Sequence, residues 1–169
     1  MLIHTETLTK VVNFLFLGAI MKKSLTFIAL LVGMSCQTHA STMFEDSEDA
    51  IEYRKASFQL IRYQIGDMGD MLKGKVPFDA KRFAERAHNA AQLSKMPWEA
   101  FISGSDKGDT SALPAIWSDR ATFDKKAADF AKYAEALAKA SESGDKKIIG
   151  KAFRNWAKGC KDCHNSFKD

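Results

Sequence analysis

Proline, cysteine and histidine are scarce in this chain, and strand-like alternation is almost missing. Among 169 residues there are three prolines, three cysteines and four histidines. Pro77, Pro97 and Pro114 all stand between periodic segments, so they leave helix interiors uninterrupted. Without period-two alternation a sheet-based fold has no support. A four-ligand zinc site is also poorly supplied, because beyond residue 40 it would need Cys160, Cys163, His164 and His88 together. Excess charge of one sign is lacking too. The formal net charge is +4, and residues 1–40 account for three lysines and one glutamate, which leaves +2 for the rest. That balance gives nucleic-acid binding no electrostatic footing. No internal repeat or low-complexity tract appears.

The amino-terminal segment reads as an export signal. Met21 begins a complete one: Lys22 and Lys23 form the charged start, and Leu25 to Val32 an apolar run too short to span a bilayer. Thr38-His39-Ala40 offers a small-x-small cleavage site. Residues 1–40 are therefore expected to be the signal region, with Met21 the true start and cleavage after Ala40. The other reading is a membrane helix over Val11 to Val32, but Lys22, Lys23 and Ser24 interrupt it. The mature domain is expected over 41–169, in the periplasm and without a membrane anchor.

Four segments of that domain carry helical periodicity. The first runs from Ser47 to Leu72, with a seam of Ile51, Arg54, Phe58, Ile61, Ile65, Met68 and Leu72 and with Gly74 placed to end it. The second runs from Asp79 to Ser94. The third is expected over Ala115 to Ser141, with Ile116, Arg120, Phe123, Ala127, Phe130, Ala134 and Leu137 on one face. The fourth runs from Asp145 to Phe167, with Ile149, Phe153, Trp156, Cys160, Cys163 and Phe167. Between Met96 and Pro114 lies one long irregular stretch, a length that in a small domain is often functional. The pattern predicts an all-α, antiparallel four-helix bundle with left-handed twist.

The chemistry-bearing motif is Cys160-Lys161-Asp162-Cys163-His164. C-x-x-C-H is the attachment pattern of c-type haem: each thiol adds to one vinyl group of the porphyrin and the adjoining imidazole reaches the iron. Cys160, Cys163 and His164 fall at i, i+3 and i+4, one face of the last helix. A thioredoxin-like C-x-x-C would sit at a strand-to-helix junction, and none is visible. One covalently bound haem c is thus expected, with His164 as its iron ligand. The sixth position has His88, Met43, Met68, Met71 and Met96 as candidates, or no residue at all. Arg54 interrupts an apolar seam, and a guanidinium there calls for an anionic partner such as a haem propionate. Phe58, one turn further on, is placed to project over the porphyrin, where it can only cover the face by bulk.

On these residues the chain resembles the cytochrome c-prime family. The resemblance rests on Glu45-Asp46 through Tyr53-Arg54, Met71-Leu72-Lys73-Gly74, Leu93 to Trp98, Ile116 to Asp119 and the terminal C-x-x-C-H. It implies a periplasmic, usually homodimeric bundle with five-coordinate, high-spin haem iron. Histidine is proximal and an apolar residue distal, here Phe58. It also implies binding of nitric oxide and carbon monoxide, discrimination against oxygen, and a role in nitric oxide handling or in electron transfer with a redox partner protein. Arg54 corresponds to the arginine that meets the propionates. Lys55 stands where many members have glutamine, Lys168 where arginine is common, and a haem-contacting acidic residue maps to Asp109. A low-spin subgroup uses a first-helix methionine, but Met68 lies about 15 Å along the helix from Phe58, and Met43 as far the other way. The open sixth site is therefore expected, with a low-spin electron carrier as the alternative. No acid-base pair suggests an enzyme.

Overall fold

The computed structural model describes residues 43–169; the export signal and its cleavage site lie outside the described residues. Helix α1 spans Ser47–Leu72, α2 Ala80–Leu93, α3 Ala115–Ser118, α4 Arg120–Ser141 and α5 Lys146–Phe167. A 3-10 turn covers Pro97–Ala100. The four long helices form an antiparallel bundle in which α4 packs against α2 and α5, and α1 against α2 and the 3-10 turn. No described helix is long and apolar enough to cross a membrane.

Each long helix starts at an aspartate. Asp46 accepts from Glu48 N (2.8 Å) and Asp49 N (3.0 Å), and Asp79 from Arg82 N (3.0 Å). Asp119 accepts from Thr122 N (3.3 Å), and Asp145 from Lys147 N (2.7 Å) and Ile148 N (3.2 Å). A carboxylate there satisfies amides that have no intrahelical partner and faces the positive end of the helix dipole. At the other ends, Gly74 adopts φ 74° just past α1 and Gly144 φ 65° between α4 and α5, a conformation costly for other residues.

The expected third helix is corrected in one respect. It breaks at Asp119, whose φ −123° and ψ 55° leave the helical region. The short α3 ends there, and the Asp119 side chain caps α4. Arg120, counted in the apolar seam, is exposed; its Nε meets Asp124 (2.8 Å) and its Nη1 donates to Phe101 O (3.1 Å).

The main core is built from Ile61, Met68, Met71, Phe83, Ala87, Phe130, Leu137, Ile149 and Trp156. A second cluster gathers Phe101, Ile116, Phe123 and Phe167 at the C-terminal end of α5. There the chain before α3 is strapped to the end of α5: Leu113 N donates to Phe167 O (3.0 Å) and Asp169 N to Ser111 O (2.9 Å). An isolated antiparallel bridge, Ala112 to Lys168, is the only sheet-like pairing among the described residues.

Candidate haem site

Between α1, the 97–117 segment, α4 and α5 lies a cavity of about 700 Å³. That is within the range of roughly 300–1,000 Å³ usual for small-molecule and cofactor sites. Helix α1 contributes Arg54, Lys55, Phe58, Ile61, Arg62 and Ile65 to its wall. Helix α5 contributes Cys160, Cys163, His164 and Phe167. The helical spacing of both sets explains why they face one space. Trp98, Phe101, Phe123 and Phe130 add four aromatic rings to the lining. Phe58 packs edge-on against Trp98 (5.6 Å between ring centroids) and Phe101 (6.5 Å), so its position is held by two rings that are themselves anchored. Trp98 Nε1 donates to Ser94 O (2.6 Å).

Cys160 and Cys163 form no disulfide, and both are half-buried. Burial pushes Cys160 up to about 11, and it raises Cys163 as well, against the opposing effect of Lys126. Both therefore stay protonated at neutral pH and are not primed as thiolates. Burial, with the Lys168 ammonium second, holds His164 below its ordinary value. Its imidazole is neutral at pH 7, the form that ligates a metal.

Arg54 is 3% exposed. Its Nη1 donates to Ala100 O (3.2 Å) and Ser105 Oγ (2.7 Å), and its Nη2 to Ser105 O (2.6 Å) and Thr110 Oγ1 (2.8 Å). The guanidinium lies 4.6 Å from the Phe101 ring centre. Among the described residues it has no carboxylate partner; neutral oxygens share its charge. Desolvation accordingly lowers its pKa, though a guanidinium stays charged at any pH of interest. The Nη donors are taken, and Nε–H is the one that faces no protein acceptor among the described residues. Thr110 Oγ1 also accepts from Ala112 N (3.1 Å). One chain of bonds thus runs from α1 through the 100–112 loop to the strap on α5.

Lys55 and Asp109 are brought together as an ion pair at the rim. Lys55 Nζ also donates to Asp109 O (3.2 Å), and the Asp109 carboxylate is 96% exposed. Hydrogen bonding and charge from Lys55 hold that carboxyl below its usual range. Among the described residues, Asp109 is the only carboxylate in the cavity lining.

The sixth-ligand candidates are elsewhere. Met68 and Met71 are fully buried in the main core, and Met43 and Met96 are exposed. His88 is exposed and lies 3.9 Å from Glu142. None of them lines the cavity. Nor does any cluster of three or more His, Cys, Asp or Glu suited to a metal ion occur among the described residues, so His88 does not complete a zinc set.

The family model for Cytochrome C' matches residues 49–168. The chain belongs to the cytochrome c' family. A solved cytochrome c prime from Shewanella frigidimarina is 57% identical, with a TM-score of 0.73, covering 75% of this chain and 98% of that one. Cytochrome c' of Rubrivivax gelatinosus is 43% identical over 127 residues, 75% of this chain and 98% of the relative. Solved variants of the Alcaligenes xylosoxidans protein, 33% identical with a TM-score of 0.70, cover 75% of this chain and 98% of theirs, and include nitric oxide and carbon monoxide complexes.

The cofactor of a cytochrome c' is covalently bound haem c, and the residues fit it. Two thiols one helical turn apart and a neutral imidazole stand in the wall of a single, largely apolar cavity, with a guanidinium also in that wall. Several contributors carry no motif. Ser105, fully buried beneath Arg54, is one small residue in a polar loop. Trp98 and Phe101 follow Pro97 as apolar anchors, which was the available signal. Gln59 and Arg62 line the cavity from positions that the seam passed over.

Proposed function

We propose that the mature chain is a periplasmic c-type cytochrome that binds nitric oxide and carbon monoxide at an open iron position, and that it works by binding without turnover. Haem c, when bound, supplies a one-electron iron centre with an axial position for a diatomic gas. In this reading Cys160 and Cys163 hold the porphyrin edge, and His164 supplies the proximal nitrogen. Phe58 covers the distal face.

One observation carries the reading: among the described residues, the cavity that contains the C-x-x-C-H side chains is lined by Phe58 and by no methionine or second histidine. A benzyl ring has no lone pair, so it screens the site by bulk alone. It also donates no hydrogen bond, which disfavours ligands that need one, oxygen among them. Arg54 supplies fixed positive charge beside the site for propionate. Lys55, Lys168 and Asp109 lie at its edge, with Asp109 tied to Lys55 and so not free to act as a base. The gas complexes of the Alcaligenes xylosoxidans relative support the ligand class. Homodimerisation is part of the proposal through family membership.

The test is the absorption spectrum of the ferrous protein with and without carbon monoxide. A five-coordinate, high-spin spectrum that converts on adding the gas is expected. A six-coordinate spectrum with two protein ligands would falsify the open-site reading. In Phe58→Ala, carbon monoxide should bind more tightly and about tenfold faster, equivalent to about 1.4 kcal/mol off the entry barrier. Unchanged kinetics would remove Phe58 from the distal role.

A further inference from the structure

Helix α5 is far more basic than the near-neutral chain around it. It carries Lys146, Lys147, Lys151, Arg154, Lys158 and Lys161 against one carboxylate, Asp162. Lys147, Lys151, Arg154, Lys158 and Lys161 recur at alternating steps of four and three, which puts them on one face. All five are exposed. From Lys147 to Lys161 the stripe runs about 21 Å. Trp156, Cys160, Cys163 and Phe167 pack on the other side of the same helix.

Helix stability does not explain the stripe. Like charges at i, i+3 and i, i+4 repel. The first turn of α5 holds Lys146 and Lys147 and no acid, the unfavourable sign for that end of the helix dipole. Internal pairing does not explain it either. Of the five, only Lys158 is in an ion pair, with Asp162; the other four form none among the described residues, though the charge of Lys161 is also felt by Asp162. Lys126, on α4, donates to Asp162 O (2.7 Å); the shallow groove beside it also holds the carboxylates Asp129 and Asp162, so the positive surface is confined to α5.

We infer that this stripe is the docking face for an acidic redox protein, one that presents a row of carboxylates around its own centre. Charge complementarity selects the occupant. A helix that lies in a membrane interface buries an apolar face, and α5 exposes only Ile148 as a large apolar residue. A partner seated on the stripe stands about one helix diameter, 10–12 Å, from the thioether face. Were haem c held there by Cys160, Cys163 and His164, it would supply a one-electron acceptor for a reduced partner, which would give up that electron. This electron-transfer step rests on the haem reading above; the docking itself does not.

Two double variants of equal net charge test it, on the purified mature protein. Lys151→Glu with Arg154→Glu reverses the stripe, and Lys73→Glu with Lys107→Glu reverses exposed cations elsewhere. The first probe is fluorescein-labelled polyglutamate, followed by anisotropy at low salt. The second is reduced flavodoxin, an acidic flavoprotein, followed by the rate of haem reduction. Wild type and the control pair should bind the peptide and accept electrons alike, more weakly as salt rises. The stripe pair should lose about tenfold in both. Equal losses in both pairs would mean that only net charge matters and would overturn the docking face. Wild type that ignores polyglutamate but sediments with phosphatidylglycerol vesicles would overturn it in favour of a membrane. A colourless protein that still binds polyglutamate through the stripe would sink the haem reading and leave the docking face standing.

Discussion

Around Met68, Met71, Phe83, Leu137, Ile149 and Trp156 the helices close on a core with every side chain fully buried. Around Phe58, Trp98, Phe123 and Phe167 the same helices stand apart about a cavity of about 700 Å³. Both regions are aromatic and aliphatic, so composition does not separate them. What differs is how the surrounding backbone is held. In the closed region, side chains of the long helices interdigitate. In the open one, the 97–117 segment wedges between α1 and α5 and is fastened by Arg54, by Trp117 Nε1 to Ile102 O (2.9 Å) and by the strap at Phe167. These polar contacts fix where the 97–117 segment lies in the wall of the cavity.

This comparison is sharpest in the cost of truncation. Trp156→Ala should lower unfolding free energy by about 3–5 kcal/mol, because the closed region cannot refill the void. Phe58→Ala, removing a ring that is only partly buried by protein, should cost only about 1–2 kcal/mol. Urea unfolding of the two variants under one set of conditions checks the ratio; equal losses would erase the distinction between the regions.

Arg54→Met tests the clasp. It leaves Ser105 O, Ala100 O and two hydroxyls without their donor, at a cost of about 1–3 kcal/mol. The loss should localise: amide exchange at Ser105 and Ala112 should accelerate while that of Leu137 and Ile149 holds. Uniform acceleration would show that Arg54 supports the whole bundle.

The smallest effect belongs to Asp67, which joins α1 to α2 through Arg82 Nε (2.9 Å) and Arg86 Nε (2.8 Å). Burial pulls its carboxyl upward, but hydrogen bonds and charge from both arginines outweigh that and leave it below the usual range. Asp67→Asn should cost about 1 kcal/mol at neutral pH. Since the folded-state pKa lies below the unfolded one, the contribution is complete above about pH 4 and is lost as pH falls through the lowered value. Wild-type and variant stability curves should converge in acid; a constant gap would mean the carboxylate charge is not what matters.

Much of the architecture is legible in the amino-acid sequence. The apolar seams, the starts at Asp79 and Asp145 and the stop at Gly74 are local signals, and the helices begin and end there. The break at Asp119 was hidden because Ile116 and Phe123 keep the same spacing across it, so periodicity alone reads one helix. C-x-x-C-H announced its chemistry through residue type and spacing. Arg54 stood out as a charge in an apolar seam, but nothing local indicates that carbonyl and hydroxyl oxygens of the 100–110 loop would receive it. The same holds for Lys55 and Asp109: each was a separate candidate for the haem edge, and only folding shows that they engage one another.

The linear order of residues determined which segments are helical, which face of each is apolar, and that two thiols and an imidazole share a turn of the last helix, because these depend on neighbours within a few positions. The tertiary structure alone decided that this turn looks into a cavity shared with α1, α4 and the 97–117 segment, that a buried guanidinium is satisfied by neutral oxygens, and that Lys55 pairs with Asp109. Those outcomes depend on how distant helices approach one another, a matter of packing across the bundle that no local spacing encodes.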